Sequence, residues 1–198
     1  MPIRVTVLVH SFERPRMLRE ALMSVAAGRP DQVLIIDDGS SFSVAVVAAR
    51  ALYQRVEYGI VSNPPCDIET RMTVPRQGAL INRALAYVTG DVVTNLCDDD
   101  LHHEGWYDAI RAHWAAYPQR EIVRGRWLWF EDGQTPTEAD PDCPLDARQM
   151  TAGNFAWHSS LHRDRGIVWP EDALNCLDNG FLTNCQRGGV GVLRVPEV

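Results

Sequence analysis

A chain of 198 residues, 45% hydrophobic and 23% charged, has the make-up of one globular domain large enough to bury a good core. Its formal charge of −7 argues against nucleic acid or an anionic membrane as a non-specific partner, since both want basic surfaces; a local basic site for phosphates stays open. The five cysteines are odd in number with no Cys-x-x-Cys pair, and no run approaches the ~20 apolar residues of a membrane span, so a soluble protein of a reduced, cytoplasmic compartment is expected.

Residues 3–9 are β-branched and apolar and read as a buried strand, and the run from Val5 to Val9 is too short for a signal-peptide core. His10-Ser-Phe-Glu-Arg-Pro15 breaks it. Pro15 suits a first helical turn, and Leu18, Ala21, Leu22 and Val25 recur at helical spacing until Gly28 and Pro30. Residues 32–36 form the next strand, whose Val33 to Ile36 run lacks alternation, as in a parallel sheet covered on both faces. A turn at Gly39-Ser40-Ser41 leads into a helix over 42–52, and Val56 to Val61 makes a third strand. Ser62 to Arg71 is polar with two prolines and reads as a loop. Thr73 and Pro75 start a helix carrying Leu80, Ile81, Ala84, Leu85 and Val88 on one face. Gly90 stops it before a strand through Val92, Val93, Leu96 and Cys97.

Trp106, Ile110 and Trp114 predict a helix over 104–116, and Ile122 to Phe130 a strand. Residues 131–148, with three prolines and six acids, are expected to be a long loop, either a lid or a plain insertion. A strand over 155–161, a helix over 174–187 and a strand over 190–195 close the chain. Alternation of strand and helix over the first 117 residues predicts an α/β fold in a single domain, with 1–101 forming one half and 102–198 the other.

Chemistry concentrates at two strand ends. Asp98, Asp99 and Asp100 repel one another unless something positive neutralises them, and a hard divalent cation that also holds a phosphate does this well. The other reading is a solvated acidic loop. A second acidic end, Asp37-Asp38-Gly39-Ser40, would face the same ligand crevice of an open α/β sheet. Asp38 suits hydrogen bonds from a base N–H or a ribose hydroxyl. Arg71 and Arg76 suit a base or phosphates, with surface ion pairing as the blander alternative. Gly39-Ser40-Ser41 lacks the spacing and lysine of a phosphate loop. His102 and His103 follow the acids, but exposed loop histidines are commoner than ligands. His158 and His162 lack a zinc signature, so packing or phosphate contact is expected of them. No Gly-x-Ser-x-Gly marks a serine hydrolase.

Together these stretches resemble the family 2 glycosyltransferases of the GT-A fold, a Rossmann-like architecture with a mainly parallel central sheet flanked by helices. Val5 to Pro15 resembles their first strand and turn, which implies that His10, Phe12 and Arg14 lie at the nucleotide. Val33 to Ser40 is similar to their second strand, whose last aspartate, here Asp38, meets the base. Arg76 to Leu85 and Gly90 to Asp100 resemble the helix and the DxD strand, and His158-Ser-Ser-Leu-His-Arg163 resembles a run in one member. The resemblance implies Arg71, Arg76 and Asp98 at the nucleotide, Asp99 and Asp100 on Mn2+ or Mg2+, and Asp178 as catalytic base with Asp172 as its rival. Cys97 stands where many members have the first acid.

The implied activity is inverting transfer of a sugar from a UDP-, GDP- or dTDP-linked donor to a carbohydrate, lipid-linked or protein acceptor. A carboxylate would take the acceptor's proton while the metal stabilises the leaving diphosphate. The chain ends soon after its last strand, so the C-terminal acceptor or membrane elements of larger members are not expected. One rival is a nucleotidyltransferase making sugar nucleotides; it is disfavoured because His10 to Pro15 replaces the glycine-rich basic loop. The other is an inert sugar- or protein-binding member, against which the intact Asp38, Asp99 and Asp178 speak.

Overall fold

A computed structural model describes residues 2–52, 56–125, 128–129, 137–138, 155–173, 177–190 and 192–194. Its first half repeats strand and helix: β1 (Val5–Ser11), α1 (Pro15–Gly28), β2 (Gln32–Asp37), α2 (Val44–Leu52) and β3 (Glu57–Ser62). After these come α3 (Ile68–Thr73), α4 (Gln77–Leu85), β4 (Val92–Cys97) and α5 (Trp106–Ala116). The second half holds β5 (Ile122–Arg124), a small pair β6 (Leu128–Trp129) and β7 (Thr137–Glu138), then β8 (Phe155–His158), α6 (Ser160–Arg163), α7 (Leu177–Arg187) and β9 (Val192–Arg194).

Seven strands form one sheet in the order β3-β2-β1-β4-β8-β5-β9. The β3-β2-β1-β4 part is parallel, β8 runs antiparallel to both β4 and β5, and β5 pairs parallel with β9. The alternation-free strands are covered on both faces, as their sequence predicts. Val5, Val7, Val9, Val33 and Ile35 pack with Leu18, Leu22, Val25, Leu52, Trp106 and Trp114 from α1, α2 and α5. Leu8, Leu34 and Ile36 point the other way, onto Leu80, Ile81 and Ala84 of α4. Beside them Trp169 stacks on Phe181 at 4.8 Å between ring centroids, and Trp157 lies 5.1 Å from Phe181. Fully buried rings of this kind dominate the core, and truncating one to alanine costs about 3–5 kcal/mol.

The strand order reverses at β1, with β2 on one side and β4 on the other. Register places Ser11 beside Asp37 and His10 beside Cys97, so the C-terminal ends of these strands finish level. A crevice at such a reversal is where open α/β sheets bind ligands.

Three local expectations change. The stretch 62–71 holds a helix, α3, started by Asp67, whose side chain accepts from Thr70 N at 2.7 Å. α3 buries no residue, so no apolar spacing could announce it. The expected strand over 122–130 is divided: Ile122–Arg124 joins the main sheet, while Leu128–Trp129 pairs with Thr137–Glu138. The expected strand over 155–161 stops at His158 because Ser160 opens a helical turn. The predicted helix over 174–187 is present from Leu177, and the closing strand is Val192–Arg194. The 131–148 loop, apart from Thr137–Glu138, lies outside the described residues.

Candidate functional site

The turn after β1 is pinned from both sides. Glu13 sits at φ 56, a left-handed conformation uncommon for a residue with a side chain, and such strain gathers at functional sites. Its N–H donates to Ser40 Oγ at 3.0 Å, and its carboxylate accepts from the Ser41 hydroxyl at 2.9 Å and from the Ser41 N–H. On the other side Phe12 N donates to Asp98 Oδ2 at 3.2 Å. The turn therefore bridges the β2 and β4 ends and fixes Phe12 and Arg14 above them.

At the β2 end Asp38 is buried beneath two guanidinium groups. Arg76 Nε lies 2.9 Å and Arg71 Nε 3.3 Å from its carboxylate, and Asn63 Nδ2 donates to it at 2.9 Å. Both Nε groups are close enough for ion pairing but miss the hydrogen-bonding angle. Arg71 also lies over the Phe12 ring, 4.8 Å from its centroid, while Arg76 donates to Pro64 O at 2.7 Å. The surface ion pair weighed for these arginines is thus a largely buried cluster at the cleft.

At the β4 end Asp98 turns inward, onto Phe12 N and onto Arg14 Nη1 at 3.4 Å. Burial pushes its carboxyl above the usual range and the Asp99 charge adds to this, while the Phe12 N–H and Arg14 pull it back. Arg14 also meets Asp99 at 2.6 Å, which strengthens its hold on the proton. The Asp100 carboxyl is pushed up to about 6, first by desolvation and then by Asp99 and Asp98. Among the described residues, Cys97, Asp99 and Asp100 offer ligand atoms that all lie within 4.8 Å of one another, a donor set that fits one divalent cation.

Between the two ends, His10 is 7% exposed with no hydrogen-bond partner for either ring nitrogen; Ser11 Oγ and the Asn95 amide are equally unsatisfied. Burial drives His10 down to about 4, partly offset by Asn95 and Asp38, so the ring is neutral near pH 7. Orphaned polar groups of this kind call for a polar occupant.

One cleft of about 830 Å³ joins these features, and its lining includes His10, Phe12, Arg14, Arg71, Asp98 and Asp99. Ligand pockets run from roughly 300 to 1,000 Å³, so it suits a nucleotide-sized molecule. Of the residues predicted from sequence, Asp38 and Arg76 adjoin the cleft through the ion cluster, and Asp100 through the donor set. Asp178 is the second residue of α7, and its side chain lies outside the described set. Asp172 is exposed in the segment before it. Sequence reasoning missed Cys66, Asp67 and Ile68 on the cleft wall; the Asp67 cap was the available signal. It also did not place Cys97 within the donor set.

The histidines divide. His102 is buried rather than exposed: its ring meets the Tyr107 hydroxyl at 2.7 Å and its N–H donates to Ser24 Oγ, which ties α5 to α1. His103 is exposed and accepts from Gly105 N. His158 pairs in register with Val92, at the far end of β4 from Cys97, roughly 16 Å away at ~3.3 Å per residue. Its ring bonds Ser160 and Arg163 donates to Val88 O, so these two residues pack the fold; neither His162 ring nitrogen finds a hydrogen bond, and none of the run lines the cleft.

The chain matches Glycosyl transferase family 2 over residues 6–141. It is 30% identical over 123 residues to Protein CgeD of Bacillus subtilis (strain 168), covering 61% of this chain and 28% of that protein. The structure of S. aureus TarS 1–349 superposes with a TM-score of 0.78 at 14% identity, over 99% of this chain and 59% of TarS. The same stretch of TarS has also been solved with UDP-GlcNAc and with UDP. The Pyrobaculum calidifontis mannosyltransferase PcManGT, in complex with GDP-Man and Mn2+, superposes at 0.70 with 16% identity, over 100% of this chain and 56% of its own. The chain thus spans about a quarter of one relative and somewhat over half of the other two. Among the described residues no helix is long and apolar enough to cross a membrane. With the family matched over more than half its length and the GT-A fold shared with solved relatives, the chain belongs to glycosyl transferase family 2.

Proposed function

We propose that the chain is a metal-dependent inverting glycosyltransferase, moving a sugar from a nucleotide-diphospho-sugar to an acceptor hydroxyl. The observation that carries this reading is the cleft that runs from the Phe12–Arg71 stack to Asp99, lined also by the unsatisfied His10 and Ser11. One end is built for a flat, hydrogen-bonding base: Arg71 offers a face and Asp38 an acceptor. The other end is built for charge. Asp98 fixes the turn and stands nearer the ribose, while Asp99 and Asp100 would hold Mn2+ or Mg2+. The metal, when bound, supplies Lewis-acid stabilisation of the diphosphate leaving group. Arg14, at this edge of the cleft beside Asp99, offers a guanidinium suited to phosphate oxygens.

Asp178 is the residue proposed to take the acceptor's proton as its oxygen attacks the anomeric carbon, with inversion. Its support is positional. Gly78 and Gly180 are the two close approaches here: a Cβ on Gly78 would stand 2.0 Å from Pro170 O, and one on Gly180 would stand 2.4 Å from Pro170 Cγ. The start of α7 is thereby packed through Pro170 against the first turn of α4, whose Gln77 lines the cleft.

Thermal unfolding with UDP, GDP, dTDP and CDP, each with Mn2+ or with EDTA, tests the reading. One diphosphate with Mn2+ should raise Tm by about 5–10 °C at ~100 times its Kd. No shift with any nucleotide would overturn the proposal, and equal shifts in Mn2+ and EDTA would remove the metal from it. Slow donor hydrolysis in Mn2+ then separates an enzyme from an inert binder.

A further inference from the structure

Cys97 ends β4 as a thiol, at the position just before the three acids. Its sulfur and one oxygen each from Asp99 and Asp100 lie within 4.8 Å of one another. Around one tetrahedral zinc-like ion a sulfur and an oxygen ligand stand about 3.6 Å apart, so side-chain rotations that close the gaps by about an ångström would bring all three onto one cation. Asp99 keeps a second oxygen besides the one that Arg14 contacts at 2.6 Å.

An independent feature points to a ligand in the cleft that Cys97 lines. The register sets His10 beside Cys97, and the His10 ring is buried with both nitrogens unsatisfied. Both residues line the same cleft. A buried polar group left unsatisfied is costly, and an occupant of the cleft relieves that cost.

Resting on the nucleotide-sugar reading above, we propose that Cys97 is itself a ligand of the divalent cation. It biases the site toward thiophilic ions such as Zn2+ and Co2+ over Mg2+. Carboxylates and water suit Mg2+ and Mn2+, whereas a thiolate favours the softer ions. The step is an exchange without redox change: the S–H bond breaks, its proton leaves to solvent, and the sulfur lone pair forms the bond to the cation. A coordinated thiol is deprotonated outright, so the site gains one negative charge over an all-carboxylate pair.

The test uses Co2+ as the probe on the metal-free full chain, alone and with UDP, and reads near-ultraviolet absorbance alongside calorimetry. Wild type should show a thiolate-to-cobalt charge-transfer band, kept in Cys66→Ser and lost in Cys97→Ser. The preference for Zn2+ over Mg2+ should fall in Cys97→Ser by at least about tenfold, since losing even an outer-shell partner costs that much. Cys97→Asp, a second variant against misfolding, should shift the preference further toward Mg2+. Cobalt bound without the band, or a band that survives Cys97→Ser, overturns thiolate ligation and leaves the functional reading standing. Wild type that binds no cobalt with or without UDP overturns the metal site itself.

Discussion

Asp38→Ala separates what the ion cluster does for the fold from what it does for a ligand. The Asp38 side chain is 3% exposed, against 28% for Arg71 and 16% for Arg76. Removing it leaves two guanidinium groups facing each other over an empty site and frees the Asn63 amide. Breaking a buried charge pair by deleting one partner costs about 3–5 kcal/mol. The low end applies here, because Arg76 keeps the Pro64 carbonyl, Arg71 keeps the Phe12 ring, and both retain some water. A loss of about 3 kcal/mol corresponds to a Tm about 6–12 °C lower for a chain of this size. Nucleotide affinity should fall as well, by about ten- to a hundredfold, the worth of one hydrogen bond to a charged group. Thermal unfolding and calorimetry well below the lowered Tm measure the two effects apart, and the double variant with Arg71→Ala measures their coupling. Unfolding at the wild-type temperature would refute the electrostatic argument. A destabilised variant that binds nucleotide as tightly as wild type would make Asp38 an anchor for the arginines and no base contact.

Two further outcomes are expected. His10 titrates at about 4 when folded against 6.5 unfolded, so the unfolded chain binds the extra proton between those values; stability is lost as pH falls from about 6.5 to 4, by about 3 kcal/mol in all. Asp100, raised to about 6, works in the opposite sense but is common to wild type and His10→Gln, so urea unfolding of the two at pH 7 and pH 4 isolates His10, and parallel losses would refute its burial as the cause. Asp178→Asn should lower sugar transfer by about 10²–10⁴-fold with little change in nucleotide affinity, and Asp172→Asn should be milder; a dead Asp172 variant beside an active Asp178 variant would exchange the two roles.

What was legible in the sequence follows from which forces leave a local trace. The parallel half was readable because burial on both faces forces unbroken runs such as Val33 to Ile36, and because Leu80, Ile81, Ala84 and Leu85 must share one side of α4. In the second half the elements were readable but their order in the sheet was not, since β8 enters between β4 and β5 through long-range pairing such as Thr94 with Ala156 and Val123 with Ala156. No short stretch encodes such an insertion. α3 escaped for the opposite reason: it buries nothing and is held by a cap and by the Arg71 contacts. His102 was misread because its burial depends on Tyr107 and Ser24, the latter on a helix 78 residues earlier.

The site shows the same division more sharply. Acids at strand ends advertise themselves, because like charges at one place need a reason. The partners that decide what each acid does are set by the turn after β1, where Glu13 is held in its strained conformation by Ser40 and Ser41. That turn delivers Phe12 N to Asp98 and Arg14 to Asp99, so Asp98 holds the turn from the cleft wall while Asp99 and Asp100 stay near Cys97. Spacing alone treats the three aspartates as equivalent. The fold makes them unequal: Asp98 is buried against Phe12 N and Arg14, while Asp99 and Asp100 are exposed and offer their oxygens beside the Cys97 sulfur.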